Sequence, residues 1–307
     1  MENKYCFLSY LSNDRDYKGA LMLNYMLKKY NSRYNLACIL LENVSKKVED
    51  VLQKSGIIIY NYHLLNSLKN FNFNEEYIEY LINKNYYGKF LIYNLTMYDK
   101  IIYLDTDLLI KGNIDHLFDY DCSDNKCYMT YDLQYNYETK DVILLSNCFN
   151  SGVIIFTPNN EICNNLYNKL KIFDDMRHLL STDQDIFKIL NDEKNINVQH
   201  LNYIYNCPAI ISHYFISNNF IENPMIIHFT LSPKPWDFID FTNDVLSNKF
   251  NSDTKNYFIE WCNLYNEMVM EILNKSYNLN IFVQVNEVYL KEKNDNHLKQ
   301  INNEYKF

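Results

Sequence analysis

Short apolar runs alternating with segments of helical period constrain the fold of this 307-residue chain more tightly than any other feature. Runs suited to β-strands recur at Tyr5–Tyr10, Leu36–Leu41, Ile57–Tyr60, Ile101–Leu104, Lys126–Thr130, Gly152–Phe156 and Pro224–Phe229. Between them, Lys18–Tyr30 places Ala20, Leu21, Leu23, Met26 and Leu27 at helical spacing, and Glu75–Tyr98 does the same with Ile78, Leu81, Ile82, Leu91, Ile92 and Leu95. Strands that alternate with helices form a mainly parallel sheet covered on both faces, so the expected class is α/β, a mainly parallel central sheet flanked by helices.

The length suits one large α/β domain, expected over 1–245, with a C-terminal helical extension and polar tail over 246–307. Tyr257–Leu273 carries Phe258, Trp261, Cys262, Leu264, Met268 and Ile272 as an amphipathic helix expected to pack on the domain, and the Lys/Asn-rich stretch from Lys291 reads as solvated. Pro224, Pro233 and Pro235 mark a rigid segment around His228.

Composition removes several functions. A net charge of -9, with no basic block, argues against a nucleic-acid partner. Five glycines, none in G-x-G-x-x-G or P-loop order, leave no nicotinamide Rossmann site and no P-loop NTPase. No stretch reaches the roughly 18 apolar residues of a membrane span, so a cytoplasmic protein without a transmembrane segment is expected. Eight cysteines are scattered without a C-x-x-C pair, which reads as reduced, mostly buried thiols.

The chemistry-bearing signal is Asp105-Thr106-Asp107, directly after the apolar run Ile101–Leu104. Carboxylates at a strand end are a start on the oxygen shell of a hard divalent cation, with room left for a phosphorylated substrate. His228 ends its own apolar run and could share that sheet edge as a third ligand, and Lys234, between Pro233 and Pro235, is placed to neutralise a diphosphate.

Taken together these segments resemble the family 8 glycosyltransferases, the glycogenin and lipopolysaccharide galactosyltransferase group with the GT-A nucleotide-sugar fold. The likeness rests on Ser12-Asn13-Asp14 with Tyr17–Leu21, on Lys89 through Asp107, on Phe149-Asn150-Ser151-Gly152-Val153, on Asp183-Gln184-Asp185 with Leu190-Asn191, and on His228 to Trp236. It covers roughly residues 5 to 240. The resemblance implies a retaining transfer of a hexose from a UDP-sugar, glucose or galactose, to a glycan or protein acceptor. It implies manganese, or magnesium in its place, on Asp105, Asp107 and His228, with Lys234 on the diphosphate. Tyr10, Ser12 and Asn13 would face uridine; Tyr17, Lys89, Thr106, Asn150 and Ser151 would complete the donor and nucleotide site, and Asp183, Gln184 and Asp185 are the nominated catalytic side chains. A homodimer is compatible with the resemblance.

The chain departs from the family at Leu231, where glycine is common, at Asp16, where glycogenins place an aromatic residue, and at Asp185, which replaces a small residue. Self-glucosylation on a tyrosine such as Tyr214 is a variant of the same reading. A non-catalytic nucleotide-sugar binder and a haloacid-dehalogenase-like phosphatase are the competing ones; the latter wants Gly-Thr after the second aspartate, and here Leu108-Leu109 follows.

Overall fold

The computed structural model describes residues 4–84, 86–135, 142–171, 182–230, 232–239 and 250–275. In chain order these form β1 (Tyr5–Leu11), α1 (Tyr17–Lys29), β2 (Leu36–Leu40), α2 (Lys46–Lys54), β3 (Ile58–Asn61), α3 (Leu64–Lys69), α4 (Glu75–Lys84), β4 (Lys100–Leu104), β5 (Leu108–Ile110), β6 (Lys126–Tyr135) and β7 (Val142–Phe156). There follow α5 (Asn160–Leu170), α6 (Asp183–Asp192), β8 (Asn197–His200), β9 (Cys207–Pro208), α7 (Ser212–Ser217), β10 (Ile226–His228) and α8 (Ser252–Lys275).

The central sheet runs β3-β2-β1-β4-β7-β6-β8. β1 pairs in parallel with both β2 and β4, β2 with β3, and β6 with β8, while β7 runs antiparallel to β4 and β6. The expected mainly parallel α/β sheet is therefore present. Its central strands β1, β2 and β4 are buried on both faces, whereas the edge strands β3 and β8 are half-buried to exposed. In β1, Phe7 and Leu11 enter one core and Cys6 and Leu8 the other; in β4, Ile102 and Leu104 divide likewise from Ile101 and Tyr103. Such strands read as continuous apolar runs, which is why they are easy to find in the sequence.

Strand order reverses at β1: β2 and β3 lie on one side and β4 on the other. The carboxyl ends of β1 and β4 thus flank a switch point, where open α/β sheets place their ligands. A small second sheet, β5-β10-β9, lies beyond the end of β4.

The structure changes one expected helix. The segment expected as helix over Glu75–Tyr98 is α-helical only to Lys84, and Tyr86–Asn94 forms 3-10 turns. The seven consecutive residues from Tyr87 to Tyr93 are buried, so no solvent face remains for an amphipathic α-helix and tertiary packing overrides the local pattern. Gly88 permits the approach: a Cβ there would come within 2.5 Å of the Tyr10 hydroxyl. The expected strands at Lys126–Thr130 and Gly152–Phe156 are parts of the longer β6 and β7.

The C-terminal helix extends over α8, and Tyr257, Phe258, Trp261, Leu264, Tyr265 and Met268 join the core that contains α1. Trp261 is fully buried and lies 6.1 Å, ring to ring, from Trp236. α8 therefore braces the segment that follows His228. All eight cysteines are free, and burial pushes the Cys122 thiol up to about 11. The residues at the expected 245/246 division, Leu231 and the tail from Lys291 lie outside the described residues. Among the described residues no helix is long and apolar enough to cross a membrane.

Candidate active site

Asp105 follows the last residue of β4, and its backbone N–H donates to Gly152 O of neighbouring β7 at 2.8 Å. Two residues on, Asp107 immediately precedes β5, which pairs with β10 so that Leu108 faces His228. The pairing continues as Phe229 N–H donates to Asp107 O at 3.0 Å. Backbone register, not side-chain affinity, thus carries His228 to the two aspartates. One ligand atom from each of Asp105, Asp107 and His228 lies within 4.8 Å of the others. His228 Nε2 is 3.3 Å from Asp107 Oδ1 and 3.9 Å from Asp105 Oδ2.

The hydrogen bonds behind His228 identify which ring nitrogen is offered. The Gly152 N–H, which can only donate, reaches Asn150 Oδ1 at 3.0 Å. Asn206 Nδ2 donates to the same Oδ1 at 2.8 Å and to Thr130 Oγ1 at 3.0 Å, so Asn206 Oδ1 must face His228 Nδ1, 2.8 Å away. An acceptor at Nδ1 holds the proton there and leaves Nε2 for the carboxylate side. Two carboxylates and one imidazole nitrogen, with the Asp105 side chain still a quarter exposed, fit a hard divalent cation with open positions.

Two lysines offset these charges. Lys234 Nζ donates to Asp107 Oδ2 at 2.5 Å and to Phe229 O at 2.8 Å. Burial alone would raise the Asp107 carboxyl, but Lys234 and His228 outweigh it and hold the group well below the usual carboxylate range. Lys89 lies 3.0 Å from Asp105 Oδ1 and 3.3 Å from Asp183 Oδ2, and donates to Ser151 Oγ at 3.0 Å. Its burial works against the charge, yet Asp105 and Asp183 together hold its ammonium protonated above the ordinary lysine range. Ser151 Oγ also donates to Asp183 Oδ2 at 2.7 Å, and Gln184 Nε2 donates to Asp132 Oδ2 at 3.1 Å. Asp183 and Gln184 open α6, whose N-cap is Thr182.

Asp105, Asp107, His228, the two lysines, Ser151, Asp183 and Gln184 share one cleft of about 550 Å³ at the carboxyl ends of β1 and β4. Every candidate residue from the sequence lines it except Tyr17 and Asp185. Tyr17 begins α1 and is buried in the core beneath it. Asp185 turns back to accept the Thr182 N–H at 3.0 Å, as the N3 member of a capping box. Asp16 does line the cleft, and burial, eased by Arg15, pushes its carboxyl up to about 6. Tyr214 is not a lining residue and stacks with Phe220 at 6.0 Å. Asn206 and Asp132 were not singled out by sequence reasoning, since an isolated polar residue in an Asn-rich chain carries no local signal. Arg15 and Trp236 also line the cleft.

An Asp-x-Asp cluster with a histidine thus stands at the switch point of an α/β sheet. The profile described as "Glycosyl transferase family 8" matches residues 9–240, and the chain belongs to that family. Galactinol synthase 4 of Arabidopsis thaliana is 24% identical over 88% of this chain and 83% of its own length. Human glycogenin-1 is also 24% identical, over 87% of this chain and 73% of its own. Among solved structures, the galactosyltransferase LgtC with donor and acceptor sugar analogues superposes with a TM-score of 0.58 at 17% identity, covering 85% of this chain and 95% of LgtC. The glycosyltransferase GlyE of Streptococcus pneumoniae gives 0.54 at 16% identity, over 90% and 64%.

Proposed function

We propose that this chain transfers a hexose, glucose or galactose, from a uridine-diphosphate donor to a glycan or protein acceptor with retention of anomeric configuration. The observation that carries the reading is the meeting of Asp105, Asp107 and His228 with Lys234 on one side and the Lys89–Asp183 pair on the other, in one cleft. Asp105, Asp107 and His228 would hold manganese, or magnesium, and the bound cation supplies positive charge for a departing diphosphate. Lys234, beside Asp107, would add a second positive charge at the leaving group. Tyr10, Ser12, Asn13 and Thr106, which line the cleft, would face the nucleotide, and Asn150 and Ser151 the donor sugar. Asp183, fixed by Ser151 and Lys89, and Gln184, fixed by Asp132, supply oriented polar groups for the anomeric carbon. Glycogenin-1 and the galactinol synthases, named for sugar chemistry, support the hexose reading. The cytoplasm is the proposed location.

The test is a panel of UDP-sugars with manganese or magnesium, scored for hydrolysis and for transfer to candidate acceptors. Release of UDP from a hexose donor, dependent on the metal, is expected. Complete inertness toward every donor would sink the reading, and donor binding without turnover would favour a non-catalytic binder.

A further inference from the structure

Arg15 takes no part in the network around the Asp-x-Asp cluster, and it is one of only three arginines in the chain, with Arg33 and Arg177. It lies in the 3-10 turn Asp14–Asp16 that leads from β1 into α1, it is half exposed, and it lines the cleft. Its Nη2 stands 3.8 Å from Asp237 Oδ2. That same oxygen accepts the Lys234 backbone N–H at 2.9 Å. Arg15 is thereby held next to the residue whose Nζ reaches Asp107, at the diphosphate end of the site.

The charges of the cleft show what this guanidinium is available for. Four cations (Arg15, Lys84, Lys89 and Lys234) and four carboxylates (Asp16, Asp105, Asp107 and Asp183) line it. A divalent cation therefore leaves a surplus of positive charge, matched to the two negative charges of a nucleoside diphosphate sugar. Lys89 is enclosed by Asp105 and Asp183, and Lys234 shares its charge with Asp107. Arg15 has a contact too long for a hydrogen bond to a carboxylate that is already in use. An exposed pair of that kind is weak, whereas a guanidinium on phosphate makes parallel charge-assisted hydrogen bonds.

We propose that Arg15 is a diphosphate-binding residue: on donor entry its guanidinium exchanges Asp237 for phosphate oxygens and joins Lys234 on the leaving group. The inference rests on the sugar-nucleotide reading above. It ties the turn after β1 to the Lys234 segment through the ligand, so the site recognises the diphosphate and not the nucleoside alone.

The experiment compares binding of UDP and of uridine, each with manganese, to the unmodified protein, Arg15→Ala, Arg15→Lys, Asp237→Asn and the Arg15→Ala/Asp237→Asn double variant. Arg15→Ala is expected to weaken UDP by about 10- to 100-fold while leaving uridine within about 2-fold, with Arg15→Lys intermediate. Asp237→Asn keeps an oxygen for the Lys234 N–H but lacks the charge that holds Arg15, so UDP tightens by about 2- to 5-fold, and that gain disappears in the double variant. Unchanged UDP affinity in Arg15→Ala overturns the assignment, as does an equal loss for uridine, which would mark a loop defect. No UDP binding by the unmodified protein overturns the sugar-nucleotide reading itself, and this inference with it.

Discussion

Replacing Asn206 by alanine removes the group that orients His228 while leaving Asp105, Asp107 and His228 themselves unchanged. Asn206 is only 1% exposed, and its amide makes three hydrogen bonds of 2.8 to 3.0 Å, to His228 Nδ1, Asn150 Oδ1 and Thr130 Oγ1. Without Oδ1 opposite Nδ1, the ring loses what fixes its rotation and its tautomer, and the fraction of molecules presenting Nε2 falls. Removing such an outer partner costs about 10- to 100-fold in metal affinity, which is about 1.4 to 2.8 kcal/mol. The fold loses stability as well, by about 1 to 3 kcal/mol, because Nδ1 is left without its acceptor in a buried site. Manganese affinity is read from the electron-paramagnetic signal of the free ion in a titration, with a urea melt on the same preparation to establish that the variant is folded. Thr130→Ala serves as a control, because it removes a partner of Asn206 but leaves the bond to His228; its effect on affinity is expected below about 5-fold. A folded Asn206→Ala protein that binds manganese as tightly as its parent would refute the argument from backbone N–H to imidazole tautomer.

Three other outcomes follow from the same geometry. In Gly152→Ala the new Cβ would fall 2.2 Å from His228 Cε1, so the ring must move; about 1 to 3 kcal/mol of stability should be lost in a chemical melt, together with manganese binding. Asp16→Asn tests the carboxyl raised to about 6: the folded chain keeps this proton to higher pH than the unfolded chain, so the group costs nothing below about pH 4 and its full penalty above about pH 6. The variant should therefore be more stable than the parent by about 2 kcal/mol at pH 7.5 and equal to it at pH 4, and a pH-independent difference in urea melts would disprove the assignment. Asp183→Asn should lower turnover by about 100-fold or more and leave UDP affinity within about 3-fold, whereas parallel losses in kinetics and calorimetry would point to a structural part for Asp183.

How much of this could be read beforehand differs from element to element. The inner strands of the central sheet are visible because burial on both faces makes each a plain apolar run, as in Ile101–Leu104 and Leu36–Leu40, whereas the edge strand β8, Asn197–His200, is half-exposed and polar and carries no such signal. The 3-10 segment at Tyr86–Asn94 is not, since its apolar residues fit a helical period equally well and only enclosure on every side selects the tighter turns. Likewise Asp185 and Asp183 look alike in sequence, one residue apart on either side of Gln184. The turn at the start of α6 separates them, bending Asp185 back to cap its helix and leaving Asp183 against Lys89 and Ser151.

What the sequence determined by itself was the class of fold, the strand that ends in Asp105-Thr106-Asp107, and the set of side chains from which a cation and diphosphate site could be assembled. Those follow from local periodicity and from motifs whose order along the chain is enough. Only the tertiary structure decided which of them meet. His228 reaches the aspartates through the pairing of β10 with β5, across more than a hundred residues of chain, and Asn206 reaches His228 through a network that begins at a backbone N–H of β7. The physical reason is that register and hydrogen-bond direction are properties of paired backbones, and no single segment of sequence encodes its partner.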